Sequence, residues 1–236
     1  MANPYFRFKQ FTVYHDRCAM KVTTDACLFG AWVASLEAGG AGRALDIGAG
    51  TGLLSLMVAQ QGAWTIDAVE IDPEAAAQAS ENCSASPWQE RIRVYPSGIE
   101  EFSCGGYDLV FSNPPFYESD LRSGNTRKNL AHHSTELSLA TLIETATKKL
   151  AEEGRFYLLM PARREAETVD LLKKQGMFVH RRLRVRQSEA HGPFRVLFQC
   201  RRQDERMRQE EMTIVRKGNT YSEAFTALLQ PYYLYL

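Results

Sequence analysis

The sequence has no excess of either charge: 28 lysines and arginines stand against 28 aspartates and glutamates in 236 residues. Bulk charge therefore does not announce a nucleic-acid partner. No apolar run is long enough to span a bilayer, and the opening Met1-Ala2-Asn3-Pro4-Tyr5-Phe6-Arg7 lacks an apolar signal core. Cysteine is sparse. Cys18, Cys27, Cys83, Cys104 and Cys200 show no C-x-x-C pairing, and no histidine cluster stands at metal-ligand spacing. That odd, scattered set argues against a disulfide scaffold or a metal centre. It fits reduced thiols packed as small apolar groups, and a cytoplasmic location is expected. Internal repeats and low-complexity linkers are also missing. What remains is ordinary for a soluble globular protein: 44% hydrophobic and 24% charged residues, in a length that suits one domain with an accessory segment.

The charges are not evenly spread. Arg122, Arg127, Lys128, His132 and His133 gather in one stretch, and Arg163, Arg164, Lys173, Lys174, Arg181, Arg182, Arg184 and Arg186 in another. Either group can be a solvated surface or a face for a polyanion. Residues 1–42 read as a leader packed on the main domain of residues 43–236. In the leader, Phe6 to Val13 alternates like a strand or hairpin arm, and Thr24-Asp25 caps a helix running through Trp32 to Leu36.

From Ala44 onward, strands and helices alternate. Ala44–Ile47, Thr65–Val69, Arg91–Tyr95, Tyr107–Phe111 and Gly154–Met160 read as buried strands. Leu53–Gln60, Pro73–Ser84, Leu137–Leu150 and Glu165–Gln175 read as helices. Phe178–Arg186 and Phe194–Cys200 form an antiparallel pair expected at the sheet edge. Met212–Val215 is a candidate further strand, and Tyr221–Leu229 a last helix. This order specifies an α/β fold, a Rossmann-like doubly wound sheet that is mostly parallel.

Asp46-Ile47-Gly48-Ala49-Gly50-Thr51-Gly52 is a glycine-rich turn from strand to helix, with Glu70 at the end of the next strand. Glycines let backbone approach a ligand, and a carboxylate about twenty residues on can accept from both ribose hydroxyls. Dinucleotide sites favour G-x-G-x-x-G. The spacing here is G-x-G-x-G, preceded by an acid. That points to S-adenosylmethionine, which lacks phosphate and carries a sulfonium and an ammonium group. Asp46, Gly48, Gly50, Gly52, Glu70 and Ile71 are the candidate cofactor residues. After the third strand such domains often place an acid that accepts from the adenine amine. Here the segment is Ser97-Gly98-Ile99, so either a backbone acceptor substitutes or the cofactor binds more weakly.

The second motif is Asn113-Pro114-Pro115-Phe116-Tyr117, directly after the fourth strand. Prolines stop the strand and stiffen the backbone at the sheet edge where α/β folds bind ligands. A planar amine is a poor nucleophile because its lone pair is delocalised. The Asn113 side-chain oxygen and the Pro114 carbonyl can hold its two hydrogens and aim the lone pair at a sulfonium methyl. Phe116 can stack on a base and Tyr117 line its pocket. A base in a duplex or folded loop would have to be flipped out.

Together the two motifs resemble class I amino-methyltransferases that modify exocyclic amines. More narrowly, the chain resembles the bacterial tRNA1(Val) (adenine(37)-N6)-methyltransferase family. The likeness includes Phe8-Lys9-Gln10-Phe11, His15-Asp16-Arg17-Cys18-Ala19-Met20-Lys21-Val22, Thr24-Asp25, Ser112 to Tyr117, Leu130-Ala131-His132-His133, and Tyr221 with Phe225. The resemblance implies a monomeric enzyme that converts S-adenosylmethionine to S-adenosyl-L-homocysteine. Its substrate would be an adenine beside the anticodon of one tRNA. Lys21, Thr24 and Asp25 would then fold over the cofactor, or else belong to a packing arm. His132 would contact phosphate or the base, or be simply solvated. Arg182, Arg184 and Arg186 share one strand face and are candidates for RNA backbone contact. Three rivals stand beside this reading: a guanine-N2 methyltransferase of rRNA, a protein glutamine methyltransferase, and a non-catalytic RNA-binding protein. The first family often has His at the Tyr117 position and an additional N-terminal domain not expected in these residues. The second favours Tyr at the Phe116 position.

Overall fold

The alternating leader folds back on itself. β1 (Tyr5–Arg7) pairs antiparallel with β2 (Thr12–Tyr14), and the Phe8 N–H donates to the Phe11 carbonyl at 2.8 Å across the turn. This computed structural model describes residues 3–115, 137–216, 218 and 220–236. α1 (Thr24–Leu36) is capped by Thr23, whose hydroxyl accepts the Ala26 N–H at 3.4 Å. The cap falls one residue before the expected Thr24-Asp25 because the capping oxygen must reach an N–H three residues on.

β3 (Ala41–Ile47) begins three residues before the apolar run. Gly42 has φ 131°, and the Asp108 carboxylate would lie 2.4 Å from any Cβ there. That carboxylate accepts the Arg43 N–H at 2.9 Å, and pairing with β4 extends through Gly42, which stands opposite Trp64. The boundary drawn after Gly42 thus falls inside β3.

Next come α2 (Leu53–Gln61), β4 (Ala63–Glu70), α3 (Pro73–Ser84), β5 (Ile92–Pro96) and β6 (Tyr107–Ser112). Asp72 caps α3, accepting from the N–H groups of Glu74 and Ala75 at 2.9 and 3.3 Å, and Pro73 occupies the first helical position. Beyond residue 136 follow α4 (Leu139–Lys149), β7 (Leu150–Pro161), α5 (Glu165–Lys174), β8 (Phe178–Ser188), β9 (Pro193–Arg201), β10 (Arg208–Val215) and α6 (Glu223–Leu229).

The main sheet has the order β10-β8-β9-β7-β6-β3-β4-β5. β9 alone runs against the other seven strands. The expected antiparallel pair is present as β8 and β9. β9 inserts between β7 and β8, however, and β10 lies outermost, parallel to β8, so the pair does not itself form the rim. Leu109 and Phe111 face one core with α1, α2 and the hairpin residues Phe8, Phe11 and Val13. Val110, Leu158 and Met160 face the other, with Leu142 and Ile143 of α4 and Leu172 of α5. Burial on both faces is why the central strands read as continuous apolar runs. Among the described residues no helix is long and apolar enough to cross a membrane.

Candidate active site

The strand order reverses at β3: β4 and β5 lie to one side, β6 and β7 to the other. The crevice at the carboxyl ends of β3 and β6 is where such sheets bind ligands. Asp46 and Asn113 both stand there. Ser112 pairs with Ile47 across the sheet, and its hydroxyl donates to the Ile47 carbonyl at 2.7 Å. That bond fixes the start of the Asn-Pro-Pro turn against the start of the glycine loop.

Asp46 is fully buried. Its Oδ2 accepts from the Ser55 hydroxyl at 2.8 Å, while Oδ1 is buried with no hydrogen-bond partner. Burial, opposed by the Ser55 bond and reinforced by the Glu70 charge, pushes this carboxyl up to about 7. Glu70 is nearly buried and spans the loop. Its Oε2 accepts the Gly50 N–H at 2.8 Å and its Oε1 the Asp72 N–H at 3.0 Å.

The amides of the loop are already used. Gly48 and Ala49 donate to the Val69 carbonyl at 2.9 and 3.1 Å, Gly50 to Glu70, and Gly52 to the Ala49 carbonyl at 2.8 Å. A phosphate cradle needs a row of free N–H donors, and these four are not available. Two carboxylates beside the loop would also repel phosphate. They favour a cation, and Asp46 Oδ1 is a buried acceptor with no partner of its own. Gly48 and Gly50 have φ 73° and 53°, and a Cβ built on either meets nothing within 4 Å. Space thus lies directly against the backbone. Ile71, 65% exposed, projects beside Gly98, where a Cβ would lie 3.6 Å from Ile71 Cδ1. The exposed apolar side chain offers a face on which a flat base can stack. This donor set fits S-adenosylmethionine and does not fit a dinucleotide.

Asn113 is half-buried, and its side-chain Oδ1 is buried without a hydrogen-bond partner. A buried acceptor left open is energetically unfavourable unless a donor arrives to meet it. Pro114 and Pro115 follow outside any helix or strand. Phe116, Tyr117 and His132, with the basic stretch Arg122 to His133, lie outside the described residues.

The remaining expected residues divide. Lys21 and Thr24 are exposed, and Thr24 opens α1. Asp25 accepts from Arg195 Nε of β9 at 2.7 Å, which ties the first turn of α1 to the active edge of the sheet. Arg182 and Arg184 both hold Glu165 at the start of α5, with contacts of 2.5 and 2.8 Å, and Arg186 pairs with Glu211 of β10 at 3.1 Å. Although partial burial pushes Glu165 up, the Arg184 and Arg182 guanidiniums hold it below the usual carboxylate range. Ser55, Gln78 and Asn82 escaped sequence reasoning. A serine inside the apolar run Leu53 to Ala59, and two amides one helical turn apart, were the available signals.

A family model for the Methyltransferase small domain matches residues 30–187. The tRNA1(Val) (adenine(37)-N6)-methyltransferase of Dyadobacter fermentans is 43% identical over 238 residues, covering 98% of both chains. The protein of that name from Parabacteroides distasonis is 40% identical over 99% of both. The one from Escherichia coli O157:H7 is 41% identical over 98% of this chain and 95% of its own. Among solved structures, a predicted O-methyltransferase from Agrobacterium tumefaciens superposes with a TM-score of 0.67 at 18% identity, covering 88% of this chain and 96% of that one. These likenesses put the fold among the Rossmann-like methyltransferases. Near-complete coverage at this identity settles the family: the chain belongs to the tRNA1(Val) (adenine(37)-N6)-methyltransferases.

Proposed function

We propose that this chain is a cytoplasmic, monomeric tRNA methyltransferase. In this reading it transfers a methyl group from S-adenosylmethionine to N6 of adenine 37 of tRNA1(Val), next to the anticodon. The observation that carries the chemistry is the open, buried Oδ1 of Asn113, one residue beyond the strand end that faces the Asp46–Glu70 loop. The relatives' shared name supplies the substrate.

S-adenosylmethionine supplies an electrophilic methyl group on a cationic sulfur. Asp46 and Glu70 would hold it, Asp46 by its charge and Glu70 by accepting from the ribose hydroxyls. Asn113 Oδ1 and the Pro114 carbonyl accept the two hydrogens of the adenine amine. Two fixed neutral acceptors favour a pyramidal nitrogen and require no reorganisation during reaction. No base is needed before attack, because the alkylated nitrogen is acidic and sheds its proton afterwards. Phe116 stacks on the flipped base and Tyr117 lines its pocket. Lys21 and Thr24 close over the cofactor from the leader. His132, Arg182, Arg184 and Arg186 contact the RNA.

The direct test is transfer of labelled methyl from S-adenosylmethionine to total tRNA and rRNA from a strain lacking this protein, followed by nucleoside analysis. Label in N6-methyladenosine of tRNA supports the reading. Label in N2-methylguanosine of rRNA, or in protein alone, would overturn the substrate and leave the cofactor argument standing.

A further inference from the structure

α3 carries two almost fully buried amides one turn apart, Gln78 and Asn82, 1% and 2% exposed. Both spend their hydrogen bonds on other parts of the chain. Asn82 Oδ1 accepts the Tyr14 N–H at 3.0 Å, and Asn82 Nδ2 donates to the Tyr14 carbonyl at 2.9 Å. It thus meets Tyr14 as a neighbouring strand would. The other hydrogen of the same Nδ2 donates to the Thr51 carbonyl, also at 2.9 Å. Gln78 Oε1 accepts the Arg17 N–H at 3.0 Å, and Gln78 Nε2 donates to the Asp16 carboxylate at 2.7 Å. The Arg17 guanidinium pairs with Glu81 on the same helix face.

Residues 14–17 of the leader are therefore seated on one face of α3, and only Asn82 also grips the glycine loop. The loop lies tight against the helix there: a Cβ on Gly52 would sit 3.1 Å from Cys83 Sγ and 3.5 Å from Ala79 Cβ. The leader then continues toward the acidic end of β4. Burial, and next the carboxylates of Glu70 and Asp72, push the Cys18 thiol up to about 11. One buried side chain thus stands between residues 14–17 of the leader and the glycine loop.

We propose that Asn82 is a positioning residue that couples the leader to the cofactor loop, so that S-adenosylmethionine binding and the docking of residues 14–18 form one linked equilibrium. The proposal rests on the cofactor assignment above. The physical reason is satisfaction of buried groups. Removing the Asn82 amide leaves the N–H and C=O of Tyr14 and the C=O of Thr51 without their partner, and both segments loosen together. A ligand that needs the loop ordered must then supply that ordering itself.

The test uses the full-length protein. Asn82→Ala keeps a strong helix former in α3. Its Kd for S-adenosylhomocysteine and its KM for S-adenosylmethionine should rise about tenfold or more, while kcat on tRNA stays within about threefold. Gln78→Ala releases only the leader and should raise both constants less. Glu144→Ala breaks an exposed ion pair with Lys148 on α4, away from the leader, and should leave them unchanged. In the wild-type protein, S-adenosylhomocysteine should slow hydrogen exchange at the Tyr14 and Arg17 amides. An Asn82→Ala variant that binds the cofactor normally and merely melts earlier would overturn the proposal. Should that variant not fold, unchanged exchange at Tyr14 and Arg17 in the wild type would overturn it instead. Wild-type protein that binds no S-adenosylhomocysteine would strike the cofactor assignment itself, a separate failure.

Discussion

Asp46 keeps a carboxylate where burial opposes its charge. Its folded carboxyl titrates at about 7, against roughly 3.9 for an unfolded aspartate. Between those values the folded chain binds a proton that the unfolded chain has released. This contribution to stability is fully present below the unfolded value and is lost as pH rises toward 7. A cation beside the open Oδ1 acts in the opposite direction. Cofactor should bind more tightly as pH rises through about 7, and binding near pH 6 should release a proton. Calorimetry in buffers of different ionisation enthalpy reads both effects. Asp46→Asn keeps an acceptor for Ser55 and removes the buried charge. Without cofactor at pH 8 it should be more stable than wild type, by an amount on the order of a few kcal/mol, while its cofactor affinity falls more than about tenfold. Tight binding by the Asn variant would remove charge from the account of recognition. Asn113 presents the complementary case. Its open oxygen faces substrate rather than cofactor, so Asn113→Ala should leave cofactor affinity intact and lower kcat by about a hundredfold or more. Normal turnover by that variant on its own tRNA would dismiss the acceptor role.

Among the elements, β8 shows how neighbours redefine a side chain. Arg182, Arg184 and Arg186 do share one face, because Leu183 and Val185 turn into the core between them. Each guanidinium nevertheless already has a carboxylate, Glu165 or Glu211. The Arg186–Glu211 pair, 33% and 55% exposed, contributes only about 0–1 kcal/mol, so a phosphate can displace it; the two pairs to the mostly buried Glu165 yield less readily. Replacing all three arginines with Gln should weaken tRNA binding and lower the salt slope by roughly 2. Anisotropy titrations across a salt series measure this. An unchanged slope, with β10 loosened, would make the arginines a zipper for the sheet edge and move the RNA surface elsewhere. The sequence could show Arg-x-Arg-x-Arg, but not Glu165 from the preceding helix or Glu211 from β10. Glu211 meets Arg186 because β10 pairs directly with β8, and Glu165 meets Arg182 and Arg184 because the helix before β8 packs on it. The same distinction separates the two halves of the site. The places of Asp46, Glu70 and Asn113 at strand ends were legible because each is read from its own few neighbours. Ser55, Asn82 and the Asp25–Arg195 pair were not, because their meaning lies in a partner brought by the fold. The place of Gly42 inside β3 was hidden for the same reason: its φ of 131° and the nearby Asp108 and Trp64 side chains come from the fold.

For the whole molecule, the two ends of the chain close on each other. The Lys9 N–H donates to the Tyr232 carbonyl at 2.8 Å, and Lys9 Nζ reaches the Gln230 carbonyl. The Phe8 ring stacks on Phe11 at 4.5 Å and tilts against Phe6 and Tyr233 at 4.7 and 6.0 Å. Phe8, Phe11 and Val13 belong to the same buried cluster as α1, α2 and the central strands. The leader is therefore cemented into the core along one side, while the stretch from Tyr14 to Arg17 is held on α3. A segment sharing the main apolar cluster should not melt on its own. Unfolding of the full chain in urea should be a single transition, with near-ultraviolet and far-ultraviolet circular dichroism coincident. Phe8→Ala should shift that one transition downward by about 3–5 kcal/mol, since the ring is fully buried and its neighbours come from both chain ends. Tyr235→Ala, at an 89% exposed position, should stay within about 0.5 kcal/mol of wild type. If Phe8→Ala instead produced an early transition that left the core signal untouched, the leader would be a separately folding arm. Its hold on the cofactor loop would then have to come from α3 alone.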